Sequence, residues 1–387
     1  MNSTWLRILI NNILLILRCF LFFIFYGKAD KKAVSPKSVV IIQRAKLGDM
    51  IVTTSMFRVI KKVYPDCRVA VVGSAVNKQI LEGNPDVDKY IVWEDDIDKM
   101  IGMVAPGNYD FGCMTSPNLH SLATLYLSGI KSISAPFITC GWSPYETKSY
   151  KLVRNFVIKK EHRMRQYVPR EYLRLLEPIG IFTDDTNKYI YWTKEAEAKI
   201  NEFIKNINKH YSMLVGVLPG AGNKIKQWPA ERFAAAADYL IEKYDAFILV
   251  IGNEGNRKEI DTMLANVKNQ DNIRDCSWPS IDELKALVSK LNMTVSVDTG
   301  PVFIAEASGV PTIDIAGSIH PHEMSPNDGK FHLLVMSEGE PQIWTMNARL
   351  IDREKAREQI ESITVSMVTE KIDELVEKIR ARILANS

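Results

Sequence analysis

Short β-branched runs, each leading through a loop into a stretch of helical period, recur along this chain and constrain its fold more than any other feature. Ser38-Val39-Val40-Ile41-Ile42-Gln43 has the pattern of a strand buried on both faces. A helical stretch follows from about Asp49 to Tyr64, stopped by Pro65. Further strands are expected at Arg68–Val72, Tyr90–Trp93, Tyr109–Met114 and Lys131–Ser134. A second series begins near Met213, with strands at Leu214–Leu218, Ala246–Ile251, Met293–Val297 and Thr312–Ile315. A helix with an alanine-rich face, Ala230–Tyr244, follows the first of these, and a short helix, Pro301–Ser308, separates the last two. Alternation of this kind predicts doubly wound α/β units with parallel sheets, whose ligands bind beyond the carboxyl ends of the strands.

At 387 residues the chain is long enough for two such units facing a cleft. The expected division is an N-terminal hydrophobic helix with a basic linker (1–35), a first Rossmann-like unit (36–190), a second (191–350), and a helical tail packing back across both (351–387). Hydrophobic residues make up 46% and charged residues 25%, enough to fill two cores and too apolar for a disordered chain. The formal net charge of +3 argues against a dedicated nucleic-acid binder, which carries a concentrated basic excess. Five scattered cysteines, Cys19, Cys67, Cys113, Cys140 and Cys276, form no C-x-x-C pair. A disulfide framework or structural zinc is therefore not expected, and a reducing compartment fits.

Trp5–Tyr26 breaks the pattern. Only Arg7, Asn11, Asn12 and Arg18 interrupt its apolar sequence, and as a helix it would run about 33 Å, the span of a hydrocarbon core. At about 100° per residue, Arg7, Asn11 and Arg18 fall into one narrow polar stripe. That stripe suits a helix lying in the membrane interface, or a spanning one with snorkelling side chains. Lys28, Lys31, Lys32 and Lys37 favour a cytoplasmic position for everything downstream. The segment is too long and too interrupted for the apolar region of a signal peptide, and no small-x-small cleavage site follows. Between Pro136 and about Arg170 the alternation loosens into mixed aromatic and basic residues. This reads either as a surface for an anionic acceptor or headgroups, or as a solvated helical connection.

Three loops at strand carboxyl ends carry candidate chemistry. In Leu47-Gly48-Asp49-Met50, Gly48 leaves room for a ligand, and Asp49 reads either as an N-cap or as a general base. In Pro219-Gly220-Ala221-Gly222 through Lys226-Gln227-Trp228-Pro229, the glycines permit close approach and Lys224 or Lys226 can neutralise a phosphate. Asp298-Thr299-Gly300-Pro301 places a possible cap and an early proline at a helix start, where free N–H groups suit a diphosphate. Asp95-Asp96 and Asp184-Asp185 read as turn or helix starts, and His320 with His322 as loop histidines without a third metal ligand.

Taken together these loops resemble glycosyltransferase family 9, the lipopolysaccharide heptosyltransferase family. Arg44-Ala45-Lys46-Leu47-Gly48-Asp49-Met50-Ile51-Val52-Thr53-Thr54 resembles its opening motif, and Glu82-Gly83-Asn84-Pro85-Asp86-Val87-Asp88 its next segment. Leu218-Pro219-Gly220-Ala221 with Lys226-Gln227-Trp228-Pro229 and Phe233 resembles its P-G-A…K-x-W-P-x-x-x-F stretch. Val297-Asp298-Thr299-Gly300-Pro301 with Gly309-Val310-Pro311 resembles its D-T-G-P…G-V-P signature. The resemblance runs in order from about Val39 to His320.

It implies a GT-B fold and an inverting sugar transfer that needs neither metal nor cofactor, from a nucleotide-diphosphate sugar, an ADP-sugar favoured, to a lipid-linked glycan such as lipopolysaccharide core. On that model Asp49 is the base, with Gly48 beside it. Gly220, Lys226, Thr299, Gly300 and Pro301 form the diphosphate site, Asp298 orients hydroxyls, and Glu254 meets the ribose. The enzyme would work at the cytoplasmic face of the inner membrane, held at the membrane surface by the N-terminal helix. Two departures lie close to the expected donor pocket. Phe303 stands where the family commonly has His, and Gly317-Ser318-Ile319-His320-Pro321-His322 replaces its G-P-T-D-P loop. Two other readings fit the same plan: a nucleotide-sugar epimerase or hydrolase, and a catalytically silent nucleotide-sugar-binding partner at the membrane.

Overall fold

Two compact units, Met1–Asn187 and Lys188–Ser387, divide the chain. The computed structural model describes residues 3–32, 35–326, 328–347 and 352–386.

The first unit opens with α1 (Ser3–Tyr26) and then alternates strands and helices: β1 (Ser38–Ile42), α2 (Leu47–Val63), β2 (Arg68–Gly73), α3 (Ala75–Ile80), β3 (Lys89–Val92), α4 (Ile97–Val104), β4 (Phe111–Met114), α5 (Leu119–Leu127), β5 (Ile133–Thr139), α6 (Lys148–Val153), β6 (Ile158–Arg163) and α7 (Val168–Leu173). Its six strands are all parallel, in the order β3-β2-β1-β4-β5-β6. β1 lies at the centre, and all five of its residues are buried, as its uninterrupted β-branched run requires. α2 buries Met50, Ile51, Met56, Phe57 and Ile60, while Asp49 in its first turn and Lys61 and Lys62 in its last complement the helix dipole.

The Pro136–Arg170 stretch differs from the sequence expectation. β5 continues to Thr139 rather than ending at Ser134, and β6 and α7 follow where no elements were expected. Pro136 normally argues against a central strand, but it lies beyond the two residues of β5, Ile133 and Ser134, that pair with β4. β6 is the sheet's edge strand, and its run Lys159-Lys160-Glu161 is the charged kind that protects an edge from further pairing. Several of the basic residues here are paired internally, Lys151 and Arg154 with Glu146, Lys160 with Glu177, Arg163 with Glu171 and Arg170 with Asp184, while Lys148 and Lys159 are exposed. The reading as a partly packed connection therefore fits better than an open cationic surface.

The second unit contains α8 (Lys194–Lys205), β7 (Met213–Leu218), α9 (Ala230–Tyr244), β8 (Ala246–Ile251), α10 (Arg257–Asn266), β9 (Ile273–Cys276), α11 (Ile281–Val288), β10 (Met293–Val297), α12 (Gly300–Ala307), β11 (Thr312–Gly317), β12 (His332–Met336), α13 (Arg353–Ser362) and α14 (Val365–Asn386). Its strands are also all parallel, in the order β12-β11-β10-β7-β8-β9. Counted from its own first strand, this is the strand order of the first unit and of dinucleotide-binding folds. α13 and α14 pack on this sheet, where Ile360, Ile363, Val368, Ile372 and Leu375 join the core. Trp228 is fully buried among them and donates from Nε1 to the Ile363 carbonyl at 2.9 Å, which ties the loop after β7 to the C-terminal helices.

Candidate active site

In a sheet of this order the chain leaves its first strand to one side and its fourth to the other, so a crevice opens at their carboxyl ends. In the first unit that point lies between β1 and β4. The loop leaving β1 is held from inside: Gln43, fully buried, accepts from the Ala45 amide at 3.0 Å and donates to Thr53 Oγ1 at 3.1 Å. Asn77 donates to the Ala45 carbonyl at 2.8 Å. α2 then starts at Leu47, with Lys46 as N-cap. Asp49 is therefore inside the first turn rather than at the cap position. Gly48 is buried beside it.

The partially buried Asp49 carboxylate has the Tyr172 hydroxyl at 3.5 Å, the outer limit for a hydrogen bond. Tyr172 is itself buried in α7, against His162 of β6, whose pKa burial pushes down to about 4. Beside the loop, the Arg44 guanidinium lies 3.8 Å over the Trp93 ring and donates to Asn118 Oδ1 at 3.2 Å, across from β1 to the end of β4. Burial lowers its pKa and nearby Asp95 partly restores it. Sequence reasoning had used Arg44 only as part of a motif and had missed Tyr172.

In the second unit the corresponding point lies between β7 and β10, and it brings Lys226 and Asp298 together. Lys226 Nζ is 2.5 Å from Asp298 Oδ2, and the Ser325 hydroxyl donates to Oδ1 at 3.2 Å. Asp298 is not at the cap position: Thr299 is the N-cap, with no side-chain cap hydrogen bond, and the Asp298 carboxylate is engaged with Lys226. Thr299 Oγ1 is buried without a partner among the described residues. α12 follows with Pro301 in its first turn, so the N–H groups at Thr299 and Gly300 precede its internal hydrogen bonding.

A third acid, which the sequence did not single out, stands here. Asp314 on β11 pairs in register with Ser296 of β10, two residues before Asp298 and therefore on the same sheet face. It is fully buried, and among the described residues neither carboxyl oxygen has a hydrogen-bond partner. Burial, and after it the Asp298 charge, raises its pKa well above the carboxylate range, against the pull of Lys226 and Ser325.

Gly220 has a packing reason for being glycine. A Cβ there would come within 2.2 Å of the Asn256 side chain, so the loops after β7 and β8 lie directly on each other. Glu254 sits exposed in the short turn after β8. Phe303 is buried in the core side of α12. His320 stacks on Trp344 at 4.6 Å, with His322 edge-on at 5.9 Å. Among the described residues no group of three His, Cys, Asp or Glu side chains stands close enough to hold a metal ion. Asp96 caps α4, accepting from the Asp98 and Lys99 amides, and Asp184 pairs with Arg170.

The family profile for glycosyltransferase family 9 (heptosyltransferase) matches residues 130–342, more than half of the chain. The chain belongs to glycosyltransferase family 9. This glycosyltransferase is 24% identical over 362 residues to lipooligosaccharide heptosyltransferase 2 of Haemophilus influenzae, covering 88% of this chain and 100% of that protein. In structure it is similar to a family 9 glycosyl transferase from Veillonella parvula, with a TM-score of 0.74 at 21% identity over 88% of this chain and 98% of that one. It is also similar to the ADP-heptose LPS heptosyltransferase II of E. coli, with a TM-score of 0.68 at 17% identity over 88% and 99%. At these identities the structural likeness speaks for the fold, which is GT-B type, as the sequence motifs implied.

Proposed function

We propose that this glycosyltransferase moves a sugar, heptose or a close relative, from an ADP-sugar to a lipid-linked glycan of the lipopolysaccharide-core kind, with inversion at the anomeric carbon. The observation that carries the reading is the placement of the family-like loops. Asp49 stands at the switch point of the first sheet, and Lys226 with Asp298 at that of the second. The names of two similar proteins, lipooligosaccharide heptosyltransferase 2 and ADP-heptose LPS heptosyltransferase II, support the donor and acceptor class.

In the proposed reaction Asp49 takes the proton from the acceptor hydroxyl as its oxygen bonds to the anomeric carbon. The bond from that carbon to the diphosphate breaks, and its electron pair leaves with ADP. Lys226 and the Thr299 and Gly300 amides meet the charge that builds on the leaving diphosphate, which is the stabilisation such a step needs without a metal. Asp298, already bonded to Lys226, fixes that ammonium and orients donor hydroxyls. Pro301 sets the direction of α12, Gly48 in the first turn of α2 leaves room for a ligand, Gly220 lets the loops after β7 and β8 pack closely, and Glu254 reaches the nucleotide ribose. The enzyme acts at the cytoplasmic face of the inner membrane, where α1 holds it near its lipid-linked acceptor and raises the effective concentration of the pair.

The donor is tested by melting the purified protein with ADP, UDP, GDP and CMP in turn. A ligand that binds only the native state raises the melting temperature by mass action. ADP is expected to raise it, and another nucleotide acting alone would overturn the ADP-sugar assignment.

A further inference from the structure

α1 is docked along one side and bare along the other. Leu15 and Cys19 are buried, and with Phe22 and Phe23 they join the first unit's core against α5 and α6. Phe23 stacks on Phe156 at 4.7 Å, and Phe22 meets Tyr126 edge-on at 5.2 Å. Nearly opposite, Leu14, Leu17, Leu21, Ile24 and Phe25 are between 53% and 78% exposed. At about 100° per residue these five span roughly 100° of the helix surface, and no polar side chain between Leu9 and Phe25 falls among them. Arg7, Asn11 and Arg18 lie at the seam between the two sides, and there Arg18 reaches Asp98 of α4 at 2.6 Å.

We infer that α1 is a monotopic anchor. It lies flat in one leaflet with its bare side among the acyl chains, stays docked on the first unit, and does not cross the bilayer. The inference deepens the membrane-attachment part of the proposed function and rests on it.

Three observations exclude a span. Crossing would carry the docked side, with Tyr126 and Phe156 of the first unit, into lipid or strip it from them. Arg18 lies eight residues from Tyr26, about 12 Å along the axis and so near the middle of a hydrocarbon core of about 30 Å. Its partner Asp98 belongs to the folded unit and would have to follow it there. Nor is there slack after the helix. Gly27, with φ at +74°, ends it, and its amide bonds back to the Phe23 carbonyl. Tyr126 donates to the Gly27 carbonyl at 2.5 Å, the Ala29 amide to Phe156 at 2.8 Å, and the Ile133 amide to Ala29 at 2.9 Å. The chain is thus joined to the sheet within three residues.

Charge favours an anionic lipid surface over a second protein as the occupant. The first 37 residues carry six cationic side chains and one acidic, Asp30, although the whole chain is only +3. Lys28, Lys31, Lys32 and Lys37 are exposed immediately after the helix. Aliphatic and aromatic residues at hydrocarbon depth, flanked by lysines at headgroup depth, are the pattern of an in-plane helix.

The test uses the full chain with Cys140, the exposed cysteine among the described residues, changed to Ser. Arg7→Cys and Asp30→Cys are each expressed, and inverted inner-membrane vesicles, cytoplasmic face outward, are treated with an impermeant maleimide. Both positions are expected to label without permeabilisation. Labelling of Arg7→Cys only after permeabilisation would show a span and overturn the inference. In parallel, wild type is expected to float with vesicles of phosphatidylcholine and phosphatidylglycerol. Leu17→Asp with Leu21→Asp, which leaves the docked side intact, is expected to weaken that binding tenfold or more at an unchanged melting temperature. If wild type fails to float, or sediments as a dimer that the double variant splits, the bare side faces something other than lipid. Transfer to a detergent-dispersed acceptor is assayed alongside. Its failure with flotation intact would sink the functional reading alone, whereas its success without flotation would sink only this inference.

Discussion

Lys226, Asp298 and Asp314 form a cluster in which one cation stands with two acids, and the charge balance depends on Asp314 keeping its proton. Replacing Lys226 by Met leaves the Asp298 carboxylate, 8% exposed, with the Ser325 hydroxyl as its one side-chain partner among the described residues. Stranding a buried charge in this way costs about 3–5 kcal/mol. The Lys226→Met variant should therefore unfold at lower urea concentration. Adding Asp298→Asn should restore much of the loss while nucleotide binding stays weak. Equal instability of the single and double variants would show that the ion pair is not the cause. Asp314 predicts a pH dependence of definite sign. The folded protein keeps this proton to higher pH than the unfolded chain, so ionisation favours unfolding as pH rises above about 4. Wild type should lose stability relative to Asp314→Asn as pH rises above the ordinary carboxylate range, and parallel profiles would refute the assignment.

Lys226 and Asp298 were legible in the sequence because each sits in a glycine-bearing loop straight after an apolar strand. Asp314 was not, because a lone acid in Thr-Ile-Asp-Ile reads as the outward position of a half-exposed strand. Only the register with Ser296 turns it towards Asp298.

At the level of elements, the central strands and their helices could be read from period and composition, since buried parallel strands are nearly continuous β-branched runs. β6 and α7 could not. An edge strand that runs Lys-Lys-Glu-His-Arg after a single Ile has no hydrophobic pattern, and α7 is six residues long. Yet this pair supplies Tyr172, the hydroxyl beside Asp49. Its packing has its own signature in His162, which burial keeps neutral down to about pH 4 in the folded protein, whereas in an unfolded chain it takes a proton near 6.5. Stability should therefore fall as pH drops from about 6.5 towards 4, and His162→Gln should flatten that part of the profile in urea unfolding. A variant that keeps the full wild-type slope would place the dependence elsewhere. The N-terminal helix is the opposite case: its length and apolarity were plain in the sequence, but the side it docks was visible only once Tyr126 and Phe156 were in place.

At the scale of the whole molecule, two sheets with the same strand order present one candidate group each at the same topological position. This repetition explains how motifs scattered from Arg44 to Pro311 resolve into two loop clusters rather than many. On the proposed reading each unit does different chemistry: proton removal in the first, leaving-group stabilisation in the second. The most direct test is release of ADP from ADP-heptose by wild type and by Asp49→Ala, with and without a lipid-linked core glycan, alongside ADP binding by both. The account predicts release that depends on the acceptor, a fall of about 10²–10⁴-fold in the variant, and ADP affinity unchanged between them. Asp49→Ala turning over at the wild-type rate, or ADP release indifferent to the acceptor, would contradict it.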